Sequence, residues 1–200
     1  MNYRILQAKK NLGGKEMSLK AGSYGLSANS GNLYVYTFKE GLLSKLAHDL
    51  LIDVTNFKAN LDVPEAGFTS GSLELEIQAN SLKVICALKD GERSDALKEK
   101  DIADIEKDMA GKVLHPDKYP TVNFRSKTIQ EKEGGYHING VLSLHGVTKS
   151  IDFDIDTNCE NLKGMITILQ KDYGIKPFRA MMGTLKIKNA VNIGFDLSLN

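Results

Sequence analysis

The chain is poor in the features that usually announce a chemistry. Of its 200 residues only two are cysteine, Cys86 and Cys159. Neither belongs to a CxxC pair or has a histidine beside it, so both are read as reduced, small apolar or loop residues. Charge of one sign is also missing, with 26 Lys plus Arg against 25 Asp plus Glu. No basic cluster stands out along the chain, and nucleic acid is therefore not an expected partner. No apolar run is long enough for a membrane span or a signal-peptide core. As written, the chain is expected in the cytoplasm, or in the periplasm if the true start lies upstream of Met1. The four histidines, at 48, 115, 137 and 145, show no HxH or HExxH spacing, and GxSxG, P-loop and Rossmann fingerprints are missing. No metal ligand, cofactor or catalytic residue is assigned on these grounds.

What is present is an ordinary globular composition, 42% hydrophobic and 26% charged, able to bury a core without disulfides. Residues 1–31 are polar and interrupted by glycine, a leader expected to be poorly ordered or to add an edge segment. Residues 32–200 read as one β domain. From Tyr119 to Asp156 three antiparallel strands are expected, turning at Gly134-Gly135 and at His145-Gly146. Val122, Phe124, Ser126 and Thr128 share one face of the first strand. In the third, Val147, Ile151, Phe153 and Ile155 oppose Asp152, Asp154 and Asp156, a solvated face. Similar alternation marks Leu33–Phe38, with Tyr34, Tyr36 and Phe38 on one side, then Leu51–Val63, Ser72–Ala79 and Leu82–Leu88. It returns in Leu162–Leu169 and in a last long strand, Thr184–Leu199.

Two short helices interrupt the strands. Leu42, Leu43, Leu46, Ala47 and Leu50 recur at helical spacing, and so do Ile102, Ile105 and Met109, with Asp101 as N-cap and Gly111 as the stop. Eight or nine antiparallel strands joined by short turns predict a closed antiparallel barrel, because closure pairs every edge. A barrel of about eight strands is filled by side chains or holds one small ligand.

The run Lys118-Tyr119-Pro120-Thr121-Val122-Asn123-Phe124-Arg125-Ser126, followed by Gly140-Val141-Leu142-Ser143-Leu144-His145-Gly146-Val147-Thr148-Lys149, resembles the signature of the YceI-like proteins. The segment Gly41–Leu50 is similar to the GLLSxxxHD version found in one subset of that family, and Gly174–Phe178 leading to Gly183-Thr184-Leu185 to that subset's late segment. The resemblance implies a lipocalin-like antiparallel barrel with a long apolar cavity. It also implies a carrier of polyisoprenoid chains or other amphipathic lipids, without cofactor chemistry. A polyprenyl chain, an isoprenoid quinone and a fatty-acyl compound are all admitted as ligand.

Tyr34, Tyr36, Phe38, Val84, Phe124, Phe153, Met165 and Phe195 lie on apolar strand faces and are the candidates for the lumen, with ordinary core packing as the alternative for each. His48, beside Asp49, is placed either to bind a ligand head group at the mouth or to satisfy the last carbonyls of its helix. At His145 the imidazole is expected to pack against the turn, with Gly146 free to adopt an unusual backbone angle. The loop carrying Ile175, Pro177, Phe178, Met181 and Met182 reads as a lid, as a surface for transient membrane or partner contact, or as a packed plug. Long edges and this loop are compatible with a homodimer. Two further readings stand beside the non-enzymatic lipid binder. One is an enzyme or stress-response factor acting on a small lipid through His48 and Asp49. The other is an interaction module with a side-chain-filled barrel.

Overall fold

The computed structural model describes residues 19–41, 47–158 and 160–199, without the side chain of Met181. In chain order the strands are β1 (Gly22–Ser27), β2 (Gly31–Thr37), β3 (Lys39–Glu40), β4 (Asp49–Val54), β5 (Phe57–Val63), β6 (Ser72–Gln78), β7 (Leu82–Lys89) and β8 (Glu92–Ser94). Helix α1 (Glu99–Asp108) separates them from β9 (Thr121–Lys132), β10 (Gly135–Leu144), β11 (Val147–Thr157) and β12 (Asn161–Leu169). The chain ends with β13 (Arg179–Ala180), β14 (Leu185–Ile187) and β15 (Ala190–Ser198). Twelve strands form one antiparallel sheet in the order β1-β5-β6-β9-β10-β11-β12-β15-β2-β4-β7-β8, and β13-β14-β3 form a small second sheet. Among the described residues no helix is long and apolar enough to cross a membrane.

The fold is all-β, as the alternation predicts, but the expected closed barrel is not formed. Closure would require β5 to pair with β7. One edge of β5 is taken by β6 and the other by β1, while β7 is held between β4 and β8. The edge of β5 is therefore spent on β1, while β7 pairs with β8 over Ala87–Lys89 and donates the N–H of Val84 to Glu106 of α1 at 2.9 Å, and the sheet stays open. It is curled by two corners that cross between its halves. Val54 leads through Thr55-Asn56 into β5, and Gln78 through Ala79–Ser81 into β7. The corners are tied to each other: Thr55 N–H donates to Ser81 O at 3.1 Å, and Gln78 N–H to Asn56 O at 3.0 Å. Helix α1 packs beside the open edge, where Ile102, Ile105 and Met109 meet a small cluster of Leu50, Ile52 and Val84.

Several expectations need correcting. The strand expected over Leu51–Val63 is broken at Thr55-Asn56, and the one over Thr184–Leu199 at Lys188-Asn189, in both cases where the chain changes partner strand. Of the helix expected at 42–50, residues 42–46 lie outside the described residues, and Asp49-Leu50 already pair with Leu88 and Ala87 as the start of β4. In α1, Asp101 is not the N-cap but sits one turn inside, its carboxylate accepting the N–H of Lys98 at 3.0 Å. Gly111 does not stop the helix, which widens into a π-turn over Met109–Leu114 and ends at His115 in the left-handed conformation, φ 49°.

Of the hairpin turns in the family-like segment, the second forms as read, whereas the first lies at Glu133-Gly134, one residue before the expected Gly134-Gly135, because Gly135 already pairs with Lys132 as the start of β10. His145 and Gly146 carry φ of 52° and 78°, the pair of positive values that a two-residue turn needs to match strand twist. A β-bulge on β9, where Asn139 faces Thr128 but Gly140 faces Ser126, leaves Lys127 unpaired and reverses the strand's parity. Thr128 is thereby exposed and Ile129 enters the core.

Candidate functional site

The inside of the curled sheet is solid at one end and hollow at the other. At the solid end Leu61, Val63, Phe68 and Ile138 are each less than 2% exposed. Phe68, from the short 3-10 turn after β5, stands edge-on to Tyr136 with ring centroids 5.0 Å apart. Toward the other end the same strands line a cavity of about 480 Å³, within the range of pockets that enclose small organic ligands. On β5, Phe57 and Ala59 face the cavity whereas Leu61 and Val63 face the plug; on β10, Leu142 and Leu144 face the cavity whereas Tyr136 and Ile138 do not.

An aromatic row, Phe124, Phe153 and Phe195, crosses the cavity wall, with successive centroids 5.3 and 6.4 Å apart in edge-to-face contact. Two inward-facing glycines make room for it. A Cβ on Gly140 would lie 2.5 Å from the Phe124 ring, and one on Gly164 2.4 Å from the ring of Phe195. Elsewhere the wall is mainly aliphatic, with Phe57 and Phe178 besides. Its polar members are Thr37, His48, Asp104, Asp108, Tyr119, His145 and Gln170, and among the described residues no lysine or arginine lines it. Asp104, on α1, is exposed, which places the mouth beside this helix.

Two of these polar groups lack partners among the described residues. The Oγ1 of Thr37 and the Nε2 of His145 are buried with no hydrogen-bond partner among the described residues. The Nδ1 of His145 lies 3.3 Å from the carbonyl oxygen of Tyr173. A carbonyl can only accept, so Nδ1 carries the proton of the neutral ring and Nε2 is left as an acceptor. Burial holds the imidazole pKa below its ordinary value, against the opposing pull of that carbonyl, and nearby His115 and Lys118 lower it further. The ring stacks at a tilt on Tyr119, centroids 4.0 Å apart. Gln170, by contrast, is satisfied, its Nε2 donating to Lys188 O at 2.8 Å.

Of the residues singled out by sequence, His48, Phe124, Phe153, Phe178 and Phe195 line the cavity. Tyr34, Tyr36, Phe38, Val84, Met165 and Met182 do not. On β2 both faces are apolar, and Leu33, Val35 and Thr37 turn inward. That leaves Tyr34 and Tyr36 on the opposite face, edge-to-face at 6.4 Å. Phe38 lies under the ammonium of Lys188, 5.8 Å from its ring centroid, and Val84 belongs to the cluster against α1. Met165 is 48% exposed, because Gly164 and Ile166 hold the inward parity of β12. Met182 is fully exposed. Beside His48, the Oδ1 of Asp49 accepts the N–H of Lys39 at 2.8 Å, fixing the start of β4 to β3.

A feature missed by the reading from sequence lies outside the mouth. Lys112, Lys171, Lys176 and Arg179 surround a surface depression that shares Ile175 and Phe178 with the cavity. The signal was present in composition, since residues 169–188 carry Lys171, Lys176, Arg179, Lys186 and Lys188 against the single acid Asp172.

Fold and cavity together define a curled antiparallel β protein with a hollow, apolar interior. The YceI-like domain model matches residues 37–199, and the chain belongs to that family. Among solved structures, the BcnA protein of Burkholderia cenocepacia superposes with a TM-score of 0.66 at 15% identity, over 88% of this chain and 99% of that one. A polyisoprenoid binding domain from Saccharophagus degradans, implicated in plant cell wall breakdown, superposes with a TM-score of 0.54 at 13% identity, over 90% and 98% of the two chains. The YceI protein of Campylobacter jejuni does so with a TM-score of 0.50 at 13% identity, over 99% and 96%. At these identities the likeness is one of fold. No curated protein sequence matches the chain.

Proposed function

We propose that this protein is a non-enzymatic binder of a long-chain amphipathic lipid, of polyprenyl, isoprenoid-quinone or fatty-acyl type, with the chain held in the cavity. The observation that carries this reading is the cavity itself: a void of about 480 Å³ walled by aliphatic side chains and the row Phe124-Phe153-Phe195. Such a void is costly to leave empty, whereas each methylene buried in it contributes about 0.8 kcal/mol. The Saccharophagus degradans domain, a polyisoprenoid binder of the same fold, supports the ligand class. The orphaned Thr37 Oγ1 and His145 Nε2 are the anchors for the ligand's polar atoms. Because Nε2 accepts and no cation of the described residues lines the wall, a neutral head carrying a hydroxyl or N–H donor fits better than a phosphate or carboxylate.

Native mass spectrometry with solvent extraction, on protein purified from its own host, tests the reading. About one long-chain lipid per protein is expected, and repeated recovery of ligand-free protein would sink it. Thr37→Val sharpens the result. Removing an unsatisfied hydroxyl should leave the ligand-free protein equally stable or more so, by about 1 kcal/mol, while the lipid retained falls. A variant that loses stability and retains its lipid would assign Thr37 to the framework instead.

A further inference from the structure

We propose that the surface from Lys171 to Lys188, just outside the cavity mouth, docks on an anionic lipid bilayer and that lipid enters and leaves the cavity there. The inference rests on the lipid-binding reading, but its carriers lie on a different part of the molecule. The first is charge. The chain as a whole is balanced at +1, yet residues 169–188 hold five basic side chains and one acidic one. That acid, Asp172, is engaged by Lys149 at 3.6 Å. Among the described residues no carboxylate pairs with Lys171, Lys176 or Arg179, all three exposed. Unpaired cations on one face are drawn to the negative potential of an anionic bilayer, to an extent that salt reduces.

The second carrier is apolar and lies between those charges in the sequence. Met182 is 105% exposed, on a backbone with φ 53°, the left-handed region that methionine seldom occupies. Leu169, at the start of the same basic segment, is 42% exposed. Apolar tips flanked by lysine and arginine are the composition of a segment that lies in a head-group layer.

The third is continuity with the cavity. Phe178 is wall to both the basic depression and the cavity, and the ammonium of Lys112 stands 5.6 Å from its ring centroid. A bilayer seated on this face therefore meets the apolar interior across Ile175 and Phe178. Among the described residues the cavity wall carries no cation, so the basic groups are placed to hold a surface and not the stored ligand.

Flotation of the whole protein with phosphatidylcholine vesicles, with or without phosphatidylglycerol as one lipid in three, tests the proposal. Binding is expected only to the anionic vesicles, and it should weaken as salt is raised. Reversing two exposed charges, in Lys176→Glu with Arg179→Glu, should lower partitioning by about tenfold or more, and Met182→Ser by a smaller factor. Equal binding to both vesicle types, no binding to either, or variants that partition like the wild type would overturn it. The lipid extracted from each variant is measured alongside. Loss of flotation with lipid still bound leaves the cavity reading standing and locates docking on this face. A wild type that never floats yet co-purifies with lipid removes the docking proposal alone.

Discussion

The two ends of the interior are built from the same strands with the same alternation, and only one of them is full. Leu61 and Val63 continue the inward series begun by Phe57 and Ala59 on β5, and Ile138 leads the series that Leu142 and Leu144 complete on β10. What differs is supplied from outside the strands. At the solid end Phe68 enters from the loop after β5, Leu19 comes in from the leader, and Tyr136 turns its ring onto Phe68. At the other end inward glycines at 140 and 164 have been given over to phenylalanine rings, and no loop of the described residues fills the space between. Strand alternation says which side is inside; loops and glycines decide whether the inside is occupied.

The sharpest way to break this comparison is to hollow the solid end. Phe68→Ala removes a ring that is 1% exposed and should cost about 3–5 kcal/mol, the range for emptying a packed aromatic site. Leu144→Ala, on the cavity wall, enlarges a space that already exists and should cost about 2 kcal/mol or less. Urea denaturation of the two variants reads the difference directly. Equal losses would mean that the cavity collapses in solution and that the two ends are not distinct.

A smaller effect is expected where a glycine is filled. In Gly140→Ala the added methyl meets the Phe124 ring and the carbonyl oxygen of Arg125, each 2.5 Å away. The ring or the strand must shift, at a cost of about 1–3 kcal/mol. Because Phe124 is the first ring of the aromatic row, the variant should also retain less lipid than its stability loss alone explains. Unchanged lipid content at reduced stability would show that the row is framework only.

This contrast also explains how much the sequence could disclose. The all-β class, the two turns of the Tyr119–Asp156 segment and the inward places of Phe124, Phe153 and Phe195 follow from period-two alternation that turn glycines punctuate. Closure of the barrel does not follow, because it depends on whether edge strands such as β1 and β8 form, and both are short and polar in sequence. Parity was unreadable on β2, where tyrosines alternate with Leu33 and Val35 and either face could be buried. On β12 it was hidden because the inward position between Leu162 and Ile166 is a glycine, which gives Met165 the look of a lumen residue. The bulge that frees Lys127 leaves no mark in composition. The orphaned atoms of Thr37 and His145 are invisible to sequence for a different reason, since whether a hydroxyl or imidazole finds a partner is settled by tertiary neighbours alone.

The smallest effect is a titration at the hollow end. Burial depresses the pKa of His145 below its ordinary 6.5, so the unfolded chain binds a proton here more readily than the fold does. The stability tied to the neutral ring is therefore complete above about pH 6.5 and is lost as pH falls below it, through the depressed value. Around the ring stand His115, Lys118 and Tyr119, with the Tyr173 carbonyl on Nδ1, and none supplies a carboxylate to offset the new charge. Between pH 7.5 and 5.5 the wild type should lose slightly more thermal stability than His145→Gln, whose amide cannot titrate. A ligand donor on Nε2 would have to be released before the ring is protonated, so lipid retention should fall over the same interval. Identical pH profiles for the two proteins, in stability and in lipid content, would remove His145 from the polar anchorage and leave Thr37 as its only member.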